Sequence, residues 1–428
     1  MTTPVTLEHP MNMRPSFAWQ HLCQSLLRAL GKVVLLPALL AGQAAWAADP
    51  YAAMSPFKCE DTSLACATAA TPAWDSDGRL WLAWVANGAV SVARSTDQGR
   101  SFAAPVVIGR HGGAADIGPD ARPQIVVDAR NRIMVVYGVF KDDRWNGRLL
   151  VSRSDDGGQH FSTPQPLMEQ TAGQRFAAMT LAPDGRVFIA WIDKRLVAAA
   201  AQKGKKMPGA AIAYAWSNDA GASFTPSRLA YSESCECCRI AVAMRDHGQP
   251  VLVFRAVLDQ KVRDHVAVTF DGRETPGPMR RVADDQWATD ACPHHGPALA
   301  VGADATYHVA WYTQGQARRG VFYARSTDEG KTFSSPMRLG QEKHQAGRPS
   351  LLAQGSTVWM AWKEFDGQET SAYVRSSRDA GLTWSAPVAV ARSVGYSDHP
   401  ILIAQQHKAY LSWLRHDEGY RLIELETP

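Results

Sequence analysis

The sequence lacks the features that usually announce a membrane, nucleic-acid or cofactor protein. Its one conspicuous apolar run, VVLLPALLAG at 33–42, is too short to span a bilayer. Charge of one sign is scarce: 45 Lys and Arg against 41 Asp and Glu give +4. With no basic stripe beyond the cluster Lys203, Lys205 and Lys206, nothing points to nucleic acid or to a polybasic membrane anchor. Isolated Gly-x-Gly patterns belong to turns, and no Gly-rich cofactor loop stands out. Cysteine is sparse as well, at seven residues, yet it is crowded: SESCECCRIAV (232–242) holds three and DACPHHGPALAV (290–301) a fourth beside two histidines.

The short apolar run has a different meaning. It follows Arg28 and Lys32 and precedes Ala45-Trp46-Ala47, which reads as a secretory signal over 1–47 cut after Ala47. The polar lead is long, so Met11 and Met13 are alternative starts that give the same mature chain. Loss of Arg14, Arg28, Lys32 and Glu8 takes the formal charge from +4 to +2. The expectation is a periplasmic or secreted protein with no membrane span and no nucleic-acid partner. Oligomeric state is left open.

Residues 48–428 read as one domain because they repeat. STDQGRSF (95–102), SDDGGQHF (154–161), SNDAGASF (217–224), STDEGKTF (326–333) and SRDAGLTW (377–384) share Ser-x-Asp-x-Gly-x-x-aromatic. This is hairpin-turn chemistry: Ser and Asp accept backbone N–H groups and Gly takes a positive φ. A second repeat is independent of the first. Apolar strands end in Ala83-Trp84, Val136-Tyr137, Ala190-Trp191, Val253-Phe254, Ala310-Trp311, Ala361-Trp362 and Ser412-Trp413, at intervals of 53, 54, 63, 57, 51 and 51 residues. That gives seven units. The fourth has lost its octapeptide, replaced by VTFDGRETPG, and the seventh stops after its third strand near YRLIEL. The expected fold is all-β, a propeller of four-stranded antiparallel blades, seven favoured over six. The segment Tyr51 to Phe57 is expected to supply the last blade's missing outer strand, because an open ring leaves exposed edges.

The octapeptides resemble the Asp-box, or BNR, repeat of sialidases and related β-propellers, over nearly the whole mature chain. The resemblance implies Asp boxes in the turns between third and fourth strands. The catalytic sialidases of that family are six-bladed, so a seventh unit departs from them. It also implies three arginines gripping a carboxylate, for which a planar guanidinium fork is suited. Arg122, Arg239 and Arg348, with His399, fall at equivalent points, in loops leading into innermost strands. Arg122-Pro123-Gln124 is similar to the family's Arg-Ile-Pro motif without its Ile; Arg239 and Arg348 match by repeat position alone. A retaining sialidase also needs a Tyr nucleophile, a Glu and an Asp. The candidates are Tyr396, Glu233 or Glu236, and Asp142 or Asp143. The partner would then be a glycan or another small anionic ligand.

The cysteines permit a second function. Cys59 and Cys66 are expected to pair, which suits export. Cys235, Cys237, Cys238 and Cys292, with His294 and His295, fall in lead-in loops of consecutive units and are expected to cluster at the channel mouth. Three readings stay open: structural disulfides, copper or zinc binding or redox chemistry, and unrelated thiols. No cofactor is otherwise implied.

Overall fold

The computed structural model describes residues 59–426 except 170, 171, 292, 303 and 304. The segment 1–47 read as a secretory signal, the residues 51–57 expected to supply an outer strand and Cys292 therefore lie outside the described residues. Seven separate antiparallel sheets follow one another along the chain. Their innermost strands are Ala70–Trp74, Gln124–Val127, Gln174–Leu181, Ala241–Met244, Ala298–Val301, Gln345–Gln354 and Ile401–Gln405. The chain is a seven-bladed β-propeller, as the repeat predicts.

Each second strand carries the aromatic repeat because it is buried on both faces. In Leu80–Ala86, all seven residues are buried. Leu80, Leu82, Trp84 and Ala86 pack with Leu414 and Tyr420 of blade 7, whereas Trp81, Ala83 and Val85 pack with Ile125, Ile133 and Val135 of blade 2. The period-two alternation of a strand thus feeds two inter-blade cores at once. Similar apolar clusters fill each remaining junction, so the ring closes where blade 1 meets blade 7.

The five octapeptides form one turn. Ser95 Oγ donates to Asp97 Oδ1 at 2.7 Å and accepts from Gly99 N at 2.8 Å, while Asp97 accepts from Ser101 N at 2.9 Å. Asp156, Asp219, Asp328 and Asp379 sit in corresponding networks. All five turns follow third strands, on the face opposite the lead-in loops. Gly99, at φ +77, also stands 2.9 Å from Tyr420 by its absent Cβ, so the turn of blade 1 rests on blade 7.

Two blades depart from the repeat, as expected from their sequences. In blade 4 the fourth strand breaks into the two-residue pieces Thr275–Pro276 and Arg280–Arg281, both paired with His265–Asp271. Blade 7 has three strands among the described residues. The Cys59–Cys66 disulfide is formed. Its segment is tied to blade 1: Asn87 Nδ2 donates to the Cys59 and Asp61 carbonyls, and Trp84 Nε1 to that of Thr62. Lys203, Lys205 and Lys206 are exposed in the 2–3 connection of blade 3, after the helix Arg195–Gln202.

Candidate functional site

Loops leading into innermost strands converge on one end of the channel. Pro119–Ala121 forms a single 3-10 turn before the innermost strand of blade 2, and it turns Asp120 and Arg122 inward. Asp120, 7 % exposed, accepts from Arg348 Nη1 of blade 6 at 2.9 and 3.2 Å, and lies 3.6 Å from Arg239 Nε of blade 4. Blades 2 and 6 are three positions apart in a ring of seven, so this contact crosses the channel. Arg122 turns the other way, donating through Nη2 to Asp398 Oδ1 of blade 7 at 2.5 Å and through Nη1 to Oδ2 at 3.1 Å. It also holds the Pro119 and Ala70 carbonyls.

The three predicted arginines are therefore brought together, but around carboxylates of the chain itself. Asp120 takes Arg348 and stands beside Arg239, and Asp398 takes Arg122. Arg348 also donates to the His294 carbonyl, and Arg239 to those of Gly296 and Pro349.

Sequence reasoning missed Asp120 and Asp398, although a signal existed: both stand just before the Arg-Pro or His-Pro step of a lead-in loop. It missed Lys363 too, which is at the far end of a second strand, outside those loops. Lys363 Nζ donates to the Ser397 carbonyl at 2.7 Å. Burial, then the positive charge of Arg348, pushes it down to about 8. Desolvation likewise takes Arg239 down to about 10. His399, 5 % exposed, and His295, stacked on Tyr312 at 3.9 Å, are held well below the ordinary imidazole range by burial and then by Arg348. His294 is lowered by burial as well. Around the channel end, Arg122, Arg239, Arg348 and Lys363 thus outnumber Asp120 and Asp398, and burial disfavours the charged form of His294, His295 and His399. Positive charge is in excess.

The remaining hydrolase candidates are spread over three blades. Tyr396 donates its hydroxyl to Thr68 O at 3.1 Å and sets its ring edge against His416, at the junction of blades 7 and 1. Asp142 is engaged in its own turn by Arg144 N and by the Asn146 backbone and side chain, and Asp143 is exposed beside it. Glu233 ends the outer strand of blade 3, where its carbonyl accepts from Val257 N. Glu236 pairs with Lys194 at 2.7 Å.

Cys235–Cys238 forms a tight turn at the start of the blade 4 lead-in loop, pinned by Cys235 N donating to Arg255 O at 2.8 Å. The turn gathers three thiols into their own buried cluster. Cys235 Sγ lies 3.5 Å from Cys237 Sγ and 3.6 Å from Cys238 Sγ. Arg263 Nη1 donates to Cys235 Sγ at 3.4 Å. Hydrogen bonds from Cys237 and Cys238, with the charges of Arg255 and Arg263, hold the Cys235 thiol well below its usual range. His294 and His295 are on the neighbouring lead-in loop, whose carbonyl at His295 accepts from Arg255 Nη2 at 3.0 Å.

No protein-family profile and no curated protein matches the sequence. Solved structures share the fold. An ulvan lyase of polysaccharide lyase family PL25 is 12 % identical, with a TM-score of 0.55 over 85 % of this chain and 92 % of its own. The same type of lyase bound to -[GlcA(1-4)Rha3S]- gives 11 % and 0.54 over the same shares. An intramolecular trans-sialidase from Ruminococcus gnavus is 11 % identical, with a TM-score of 0.46 over 70 % of this chain and 90 % of its own. Identities this low establish a shared propeller architecture and place no functional residue.

Proposed function

We propose that this chain is an exported propeller that binds an acidic glycan over the lead-in face of its channel. The observation that carries the reading is the excess of buried cations there. Among the described residues Arg122 pairs with Asp398, Arg348 with Asp120, and Arg239 stands 3.6 Å from Asp120, while Lys363 Nζ donates to the Ser397 carbonyl; Arg239 Nε makes no hydrogen bond among the described residues. An anion would relieve the charge and accept from Arg239 Nε.

The rim of the same face suits a sugar. Trp145, in the 2–3 turn of blade 2, is 59 % exposed and stands edge-on to Phe140 at 5.0 Å. Phe140 in turn lies 4.8 Å below the Arg175 guanidinium. A flat apolar ring beside fixed cations can take the face of a uronic or nonulosonic acid while its carboxylate points to the channel. The fold-level analogy to a lyase that binds a sulfated GlcA-Rha repeat supports the choice of ligand class.

Binding is favoured over hydrolysis because the arginines already hold the chain's own carboxylates and the Tyr, Glu and Asp candidates are dispersed. The test is calorimetry of the mature protein with sialyllactose, a sulfated GlcA-Rha oligosaccharide and their neutral counterparts, with reducing-end release followed in parallel. Binding confined to the acidic sugars, weakened by Lys363→Met and by Trp145→Ala, is expected. Equal binding of neutral sugars, or binding of none, would overturn the reading, and release of sugar would overturn the preference for binding.

A further inference from the structure

The three-cysteine turn is not needed for the glycan reading, and its geometry has its own consequence. We propose that Cys235, Cys237 and Cys238 form a three-sulfur binding site for a soft monovalent metal ion, copper(I).

Spacing comes first. A metal bound to three sulfurs at about 2.3 Å separates them by about 3.8–4.0 Å. The three Sγ atoms lie within 4.8 Å of one another, with two of the separations at 3.5 and 3.6 Å. They are well outside bonding distance, and slight expansion of the triangle accommodates an ion. Burial comes second: the three residues are 1, 4 and 2 % exposed and form an apolar cluster of their own. A water-free, all-sulfur nest favours a soft ion over a hard one.

Charge selects the oxidation state. Three thiolates and a monovalent ion carry −2. Arg263, 3.4 Å from Cys235 Sγ, and Arg255, whose backbone carbonyl accepts from Cys235 N at 2.8 Å, supply +2. A divalent ion would leave the buried site one positive charge in excess, beside Arg239, which is already short of carboxylate. Arg255 is itself fixed: its guanidinium donates to the Arg263, His295 and Tyr312 carbonyls and lies over the Trp287 ring at 4.4 Å. The cations that balance the sulfurs are thus built in rather than recruited.

The experiment titrates reduced mature protein with acetonitrile-stabilised copper(I) under anaerobic conditions, against a chromogenic copper(I) chelator, and repeats the titration with zinc(II). One copper per chain is expected, with Cu–S distances in X-ray absorption and no nitrogen or oxygen shell. Cys237→Ser should lower affinity by at least about 100-fold. Because a serine there could disturb the fold, the wild-type protein supplies an independent readout. Copper(I) should raise the melting temperature and, in urea at the foot of the unfolding transition where the buried thiols become exposed, protect the peptide spanning 232–242 from iodoacetamide, as a ligand of the folded state must. Undiminished affinity in Cys237→Ser, alkylation of that peptide unaffected by copper(I), or retention of zinc(II) but not copper(I) would overturn the proposal. So would non-reducing peptide maps of freshly exported protein in which these cysteines are joined by disulfides.

Discussion

Asp120 of blade 2 reaches across the channel to Arg348 of blade 6, whose Nη1 donates to both of its carboxylate oxygens at 2.9 and 3.2 Å. The pair joins distant parts of the sequence, and Arg239 of blade 4 stands against the same carboxylate. One side chain therefore neutralises charge contributed by two other blades. The third arginine of the ring, Arg122, is held apart by Asp398.

Removing that carboxylate should take from Arg348 and Arg239 the counter-charge they share. Asp120→Ala is expected to lose about 3–5 kcal/mol, the usual result of breaking one side of a buried pair. It should also create a cavity that a small carboxylate can enter. Acetate should then raise the melting temperature of Asp120→Ala well above its effect on the wild type, with chloride at equal ionic strength as the control. Equal shifts in both proteins would show that Asp120 does not stand in for a ligand.

The turns on the opposite face should behave as stability elements only. In Asp328→Ala the bonds from Ser326 Oγ, Thr332 N and Thr332 Oγ1 are lost, at a cost of about 1–2 kcal/mol, with anion binding unchanged. Hydrogen bonds from the Thr332 side chain and backbone, then from Ser326, lower Asp328 from 3.8 to about 2, and Asp97 and Asp379 are lowered to about 2 by equivalent bonds. A depressed carboxylate contributes stability above its unfolded value and loses it as pH falls through its folded one. Acid unfolding should accordingly set in below about pH 4 and deepen toward pH 2. Asp328→Ala should flatten that part of the stability curve, measured by urea unfolding at stepped pH.

Ring closure can be probed at one glycine. Gly99, at φ +77, has Tyr420 Cε1 at 2.9 Å and Leu80 Cδ2 at 3.2 Å from where a Cβ would be, whereas Gly157, at φ +69 and one position before Gly99's counterpart Gly158 in the turn of blade 2, has nothing within 4 Å. Both alanine variants suffer the left-handed backbone penalty, about 1–2 kcal/mol. Gly99→Ala should lose about 1–3 kcal/mol more, because the methyl group pushes blades 1 and 7 apart. Thermal unfolding of the two variants side by side reads the difference; equal losses would mean that the seam tolerates the extra carbon.

The architecture was legible because propeller blades write two periodic signals into the chain. Strands buried on both faces must be continuously apolar, as in Leu80–Ala86, and tight 3–4 turns need Ser, Asp and Gly at fixed offsets. Cys59–Cys66 was legible from proximity. The convergence of Arg122, Arg239 and Arg348 followed from their shared repeat position, but what they hold did not. Repeat position orders residues around the ring and says nothing of which side chain crosses it, so Asp120 and Asp398 went unremarked. Lys363 was hidden for a related reason. It follows the aromatic of its second strand, at the opposite end of the blade's chain path from the lead-in loops, and only the fold returns it to them.

Lys363 should give the channel end a pH dependence. Burial lowers it to about 8; Arg348 and Arg122 push the same way, with Asp398 and Asp120 opposing. A lysine depressed from 10.5 disfavours the folded state while it is charged. It therefore costs stability below about pH 8, and this cost is relieved as pH rises from about 8 to 10.5, where the unfolded chain binds more protons than the folded one. An anionic ligand reverses the preference, since it favours the ammonium and raises its pKa. Acidic-sugar affinity should thus fall as pH rises through about 8, with proton uptake on binding in that range, seen by calorimetry in two buffers of different ionisation enthalpy. The neighbouring His399 is held neutral well below this window and adds no step to it. Lys363→Met should remove both the affinity step and the proton uptake, and should stabilise the ligand-free protein below about pH 8. If the step survives in Lys363→Met, another group controls the site; if the wild type shows no step at all, the anion does not bind beside Lys363.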